Sequence, residues 1–154
     1  MALHVTLLEP LIPPNTGNIA RLCAATDTSL HLVEPLGFSI EDRDLKRAGL
    51  DYWPAVDLWV HPHWRAFREA MARERCFYFS SNATRSFWDA RFPSNACLVF
   101  GNETEGMPQK ILDKYPDRCF QIPMGGPVRS LNLATAVGIV LYEALRQVRH
   151  QPAT

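Results

Sequence analysis

The chain has 154 residues, with 16 Lys and Arg against 16 Asp and Glu and a formal net charge of zero. A hydrophobic fraction of 47% and a charged fraction of 21% exclude bulk disorder. The length predicts a single domain over 1–154 that buries a core without metal or disulfide staples. The charge balance excludes nucleic-acid binding by the bulk field alone, so any RNA contact has to come from a local cluster.

Short apolar runs alternate with helical patterns along the whole chain. Leu3 to Leu8 reads as a strand that stops at Glu9-Pro10. A turn is expected over Pro13-Pro14-Asn15-Thr16-Gly17, after which Ile19, Leu22, Cys23 and Thr26 recur at helical spacing. Leu30 to Glu34 is a second strand ending at Pro35. Between Pro35 and Pro54 lies the longest irregular stretch, with Lys46-Arg47 followed by Tyr52-Trp53, a pairing suited to phosphate contact and stacking or to a lid on the core. Val56, Leu58 and Val60 alternate like a strand with one solvated face, and Trp64, Phe67, Ala70 and Met71 mark an amphipathic helix.

The second half repeats this grammar. Cys76 to Ser80 and Ala96 to Phe100 are buried-type strands, and Pro108 opens a short helix where proline is tolerated. Cys119 to Ile122 is the last strand. From Leu133, the residues Val137, Val140, Leu141, Ala144, Leu145 and Val148 trace one face of a long helix, with Ser130 as candidate N-cap. Alternation of this kind predicts an α/β fold, a mostly parallel sheet with helices on both faces.

Four cysteines at positions 23, 76, 97 and 119 form no C-x-x-C pair and read as buried, reduced thiols. The N-terminus lacks a basic segment before an apolar run, and Ala134 to Leu145 is too short to cross a bilayer. No membrane association and a cytoplasmic location are expected. His61 and His63 lack a nearby Cys or acidic partner, so no metal is expected there.

In a parallel sheet, ligands bind beyond the carboxyl ends of the strands. Three strands here end in Gly-, Pro- and Asn-rich loops: Pro13 to Asn18 with Arg21 beyond it, Gly101 to Gly106, and Pro123 to Asn132. Together they bring Asn15, Arg21, Glu103, Arg129, Ser130 and Asn132 to one edge. There is no G-x-G-x-x-G, no Walker lysine and no G-x-S-x-G. What is left is an amide-rich pocket with two arginines and one carboxylate, suited to an anionic substrate and a cofactor held largely by backbone.

These loops resemble the three motifs of the SPOUT class of RNA methyltransferases. The likeness lies in Asn15-x-Gly17-Asn18-x-x-Arg21, in Phe100-Gly101-x-Glu103-x-x-Gly106, and in Ile122-Pro123-Met124 followed by Arg129-Ser130-Leu131-Asn132-Leu133. The segments Glu9-Pro10 to Asn18 and Arg47 to Tyr52 are similar to the compact branch that methylates the wobble nucleotide of tRNA, position 34, cytidine or a modified uridine. The resemblance implies a C-terminal deep trefoil knot, S-adenosylmethionine as methyl donor, a tRNA substrate and a homodimer. It implies donor contacts at Phe79, Gly101, Ile122, Met124, Ser130 and Leu131. Catalytic roles fall on Arg21, Ser130 and Asn132, and substrate contacts on Asn15, Arg21, Lys46, Arg47, Glu103 and Arg129. A guanidinium stays protonated, so Arg21 reads as a holder of phosphate and of developing negative charge rather than a base. Two alternatives stay open: methylation of another tRNA or rRNA ribose, and a non-catalytic RNA-binding module. Small residues on the last helix (Ala134, Ala136, Gly138, Ala144) suit either a subunit interface or packing on the sheet.

Overall fold

The structure is a computed structural model that describes residues 2–41, 43 and 53–149. Its centre is a seven-stranded sheet: β1 (His4–Leu8), β2 (Ser29–Val33), β3 (Leu58–His61), β4 (Cys76–Phe79), β5 (Arg85–Ser86), β6 (Cys97–Phe100) and β7 (Cys119–Gln121). Its strand order is β3-β2-β1-β6-β4-β7-β5, and every pair is parallel. The chain winds outward from β1 through β2 to β3, then crosses back to build the other half, so β1 and β6 flank the point where the order reverses.

Alternation along the strands splits the core into two layers. Val5, Leu7, Leu30, Leu32, Phe77, Phe79, Leu98 and Phe100 face one side, where Ile19, Ala20 and Cys23 of helix α1 (Pro13–Ala25) and Val137, Val140, Leu141 and Ala144 of helix α4 (Leu133–Arg149) cover them. Val33, Cys76, Tyr78, Cys97, Val99 and Cys119 face the other, under Phe67 of α2 (Trp64–Ala70) and Ile111 and Leu112 of α3 (Gln109–Lys114). All four cysteines are buried and unpaired, as expected, and burial pushes the thiol of Cys23 up to about 12 and that of Cys119 to about 11.

Three local readings are corrected, and one strand is added. Pro13 to Gly17 is not a turn but the start of α1: the first helical N–H groups have no intrahelical acceptor, so prolines there forfeit nothing and preset φ. Val56 precedes β3, and its N–H closes a turn on the Trp53 carbonyl at 3.2 Å. The cap of α4 is Asn132, not Ser130, since Asn132 Oδ1 accepts from the Thr135 amide at 3.2 Å. The two-residue strand β5 is too short to leave a period in the sequence.

The second layer holds a line of imidazoles. His4 Nδ1 and His31 Nε2 lie 2.9 Å apart, as do His31 Nδ1 and His61 Nε2, tying β1, β2 and β3 together beneath Phe67. His63 caps α2, its Nδ1 accepting from the Ala66 amide at 3.1 Å. Both histidines of the His61-Pro62-His63 segment therefore serve the fold.

Candidate active site

Beyond the carboxyl ends of β1, β4, β6 and β7 the chain encloses a cavity of about 570 Å³. It lies beside the reversal point of the strand order, where open α/β sheets bind their ligands. Its volume falls within the range of small-molecule sites.

The loop after β6 forms one wall. Asn102 Oδ1 accepts from the amides of Thr104 (3.1 Å) and Glu105 (2.7 Å), and the Gly106 amide returns to the Asn102 carbonyl at 3.1 Å. Gly106 sits at φ +69°, in the left-handed region that glycine tolerates. A Cβ on Gly101 would stand 2.1 Å from the Gly106 carbonyl carbon, so only glycine lets the two ends of this loop meet.

Glu103 projects from that loop to the start of α1. Its Oε1 accepts from the Leu11 amide at 2.9 Å, and its Oε2 accepts from the Ile12 amide at 2.8 Å and from Asn15 Nδ2 at 3.3 Å. Helix α1 has no acidic residue in its first turn and no side-chain cap of its own. Glu103 supplies both, placing negative charge at the positive end of the helix and satisfying amides the helix leaves open. From Asn15 the line continues, for Asn132 Nδ2 donates to Asn15 Oδ1 at 3.0 Å. Three segments distant in sequence are thus joined by one line, Glu103–Asn15–Asn132, along the cavity rim.

The cavity is lined by nine of the residues singled out in the sequence: Asn15, Phe79, Gly101, Glu103, Ile122, Met124, Ser130, Leu131 and Asn132. Phe79 and Phe100 stack with ring centroids 5.1 Å apart and form its apolar back. Arg21 and Arg129 are not among the lining residues, and both are exposed. Arg21 shares the outward face of α1 with Pro14, Asn18 and Ala25, opposite the buried Ile19 and Cys23. Lys46 and Arg47 lie outside the described residues. Sequence reasoning missed the Ser80, Ser81 and Asn82 segment, which completes the wall after β4; only its place after a buried strand could have signalled it. Among the described residues no group of three or more His, Cys, Asp or Glu could hold a metal ion.

A model of the SpoU rRNA Methylase family matches residues 2–142, through all of these loops. The chain belongs to that family. A tRNA (cytidine(34)-2'-O)-methyltransferase of Methylovorus glucosotrophus is 46% identical over 144 residues, which cover 93% of this chain and 94% of the relative. A solved structure described as giving insights into the 2-OH methylation of cytidine or uridine 34 on tRNA superposes with a TM-score of 0.92 at 50% identity, covering 97% of this chain and 98% of the other. The SpoU methyltransferase AviRb of Streptomyces viridochromogenes, in complex with the cofactor AdoMet, superposes with a TM-score of 0.83 at 25% identity over 95% of this chain and 57% of that one. The SpoU family is therefore one whose members bind S-adenosylmethionine, on the α/β parallel-sheet architecture expected from the sequence.

Proposed function

We propose that this protein methylates the ribose 2′-OH of the wobble nucleotide, position 34, of tRNA, with S-adenosylmethionine as donor. One observation carries the reading: the likeness to tRNA cytidine-34 2′-O-methyltransferases runs through nearly the whole chain, all three cavity loops included. The deep C-terminal trefoil knot implied by the resemblance to the SPOUT class belongs with this reading, supported by the family match and the parallel order β1-β6-β4-β7.

The cavity fits the donor. Phe79, Ile122 and Leu131 offer apolar surface for a purine, Gly101 brings backbone to the wall without a side chain, and Met124 and Ser130 border the opening. The donor, when bound, supplies a methyl group already electrophilic on its sulfonium, so the transfer calls for no metal. The chain's task is to hold the weak 2′-hydroxyl nucleophile in line and accommodate the charge it develops. Asn15 and Asn132, locked by Glu103, present amides to the ribose. Glu103 has both oxygens committed to protein donors, which makes it a positioning residue rather than a base. The hydroxyl proton leaves to a phosphate oxygen of the RNA or to water.

Arg21 points outward on α1, so the guanidinium serving this cavity is that of Arg21 of the partner subunit in a homodimer. The outer face of α4, with Ile139 38% and Tyr142 57% exposed, supplies apolar surface for that contact. Arg129 takes RNA phosphates in this reading. Lys46 and Arg47, which lie outside the described residues, are assigned the same role from the sequence, because a neutral chain needs local positive charge to hold RNA.

The test is incubation with methyl-labelled donor and tRNA, followed by mapping of the label. Label on ribose 34, lost with Arg21→Ala, is the expected result. Label on another tRNA or rRNA ribose, or donor-independent RNA binding with no transfer, overturns it. A species of one chain's mass in sedimentation at micromolar concentration overturns the dimer.

A further inference from the structure

Helix α1 starts on a residue ill suited to starting a helix. Its N-cap is Ile12, at φ −108° and ψ 109°, with no side-chain hydrogen bond to the first turn. Isoleucine is among the poorest residues at that position, where Ser, Thr, Asp and Asn supply the acceptor it lacks. Glu103 offsets the defect from outside the helix. The isoleucine gains no shelter in exchange: it is 43% exposed and lines the cavity beside Asn15 and Glu103.

The backbone that carries this side chain is fixed from several directions. Pro13 follows it and confines Ile12 to the extended region that it occupies. The Ile12 amide donates to Glu103 Oε2 at 2.8 Å, and the Leu11 amide to Oε1 at 2.9 Å. One residue earlier, the Pro10 carbonyl accepts from the Gly37 amide at 2.8 Å. A Cβ on Gly37 would stand 2.7 Å from the Leu11 Cα, so the two backbones meet only because that residue is glycine. A lone exposed isoleucine is ordinary on a protein surface. One held this firmly at the mouth of a cavity is a preformed contact, whose ordering costs nothing more when a ligand arrives.

Its place on α1 says what it meets. The Asn15 backbone amide donates to the Ile12 carbonyl at 3.1 Å, so the two residues are neighbours across the first turn. Helix α1 leaves the carboxyl edge of the sheet and returns to its amino edge, which sets Ile12 outside the buried Asn15, towards solvent. A ribose held by Asn15 and Asn132 carries its base on the next ring carbon, in the same cavity and towards that opening. The donor's apolar surfaces, Phe79 and Ile122, follow β4 and β7, across β6 from the end of β1. We propose that the base of the nucleotide being methylated packs by its face on the Ile12 side chain, a contact that orients the ribose. An aliphatic side chain against the flat face of a pyrimidine reads none of its edge groups, so cytosine and uracil are held alike. The inference rests on the wobble-methylation reading above and deepens it.

The test uses two purified tRNAs, one with cytidine and one with a modified uridine at position 34, both lacking the ribose methyl. Kinetics at saturating S-adenosylmethionine compare the wild type with Ile12→Ser and Ile12→Val. Serine gives α1 the cap acceptor it lacks, so its melting temperature should fall by no more than about two degrees. The same variant should raise KM for both tRNAs roughly tenfold and change kcat by less than about twofold, the signature of a lost binding contact. Valine, shorter by one methylene, should raise KM about two- to threefold, which reads the contact independently of the cap. Donor affinity, measured by calorimetry, should not move. Unchanged KM in both variants overturns the assignment. So does a loss in kcat alone, which would mean that the Glu103–Asn15 line had shifted. A weakened donor also overturns it, since Ile12 would then face S-adenosylmethionine, as does a change with one tRNA only, since an edge would then be read. A wild type that labels neither tRNA at ribose 34 refutes the parent reading instead, because no KM could then be compared.

Discussion

Two lines of three polar side chains cross this molecule, and they differ in almost everything but their length. Glu103–Asn15–Asn132 runs along the rim of the cavity and joins loops that have no ladder of their own. His4–His31–His61 runs under α2 and joins three strands already paired in register. The first line carries a fixed charge that completes a helix end. The second works only while its imidazoles stay neutral, because a proton shared between each pair of ring nitrogens requires a lone pair on one of them. A polar line at the carboxyl edge therefore builds a site, and a polar line across the sheet ties down its edge and responds to pH.

Breaking the first line gives the largest expected effect. Glu103→Ala leaves the amides of Leu11 and Ile12 without their acceptor and removes the charge at the start of α1. Hydrogen bonds to a charged group contribute about 1.5–3 kcal/mol each, and water reaches this rim, so a net loss of about 2–3 kcal/mol is expected. Methyl transfer should fall further, about a hundredfold, because the loops that place donor and ribose lose their tie. Urea denaturation beside a single-turnover assay reads both numbers. Unchanged stability would show that the carboxylate is not the clamp described.

That clamp was half legible in the sequence. Phe100-Gly101-x-Glu103 marked the loop, and the shortness of the apolar runs Leu30 to Glu34 and Ala96 to Phe100, bounded by Pro35 and Gly101, marked the strands, because four or five residues between turn signals are too few for a helix. The cavity's lining followed, since loops at strand ends must gather at one edge. The partner of Glu103 was not legible: the contact spans about ninety residues, and the prolines preceding Asn15 read as a turn when they open a helix. The histidine line was hidden for a related reason. Its members are 27 and 30 residues apart, and only the register of three strands brings them together.

The second line is broken by acid. Burial lowers the pKa of all three imidazoles, and that of His31, flanked by His4 and His61, falls to about 3. Arg75 reinforces the shift at His4 and His31, while Asp57 opposes it more weakly than burial drives it. With folded values below the unfolded 6.5, the unfolded chain binds more protons on acidification. The stability these groups provide is therefore complete above pH 6.5 and is lost progressively as pH falls towards about 3. One such group gives a slope of roughly 1.4 kcal/mol per pH unit in that window, or about 2 kcal/mol between pH 6.5 and pH 5. Replacing His31 by leucine should flatten the profile while leaving methyl transfer at neutral pH within about twofold, because the line lies outside the cavity. A wild-type stability that is level from pH 7 to pH 5 would show that the imidazoles are not held neutral by the fold.

The smallest effect gives the sharpest separation, because Asn132 performs two tasks with two ends of one amide. Its oxygen caps α4 at the Thr135 amide, and its NH2 holds Asn15. Asn132→Ser preserves a capping oxygen and removes the donation to Asn15, so stability should change by only about 0.5 kcal/mol, within the difference among good caps. Asn132→Ala removes both and should cost about 1 kcal/mol more. If the rim line positions the site, the two variants will lose methyl transfer to a similar extent while differing in stability, since both release Asn15. If activity instead tracks the cap, with serine active and alanine not, then α4 rather than the line orients the ribose, and the contrast with the histidines reduces to one between a helix end and a strand ladder.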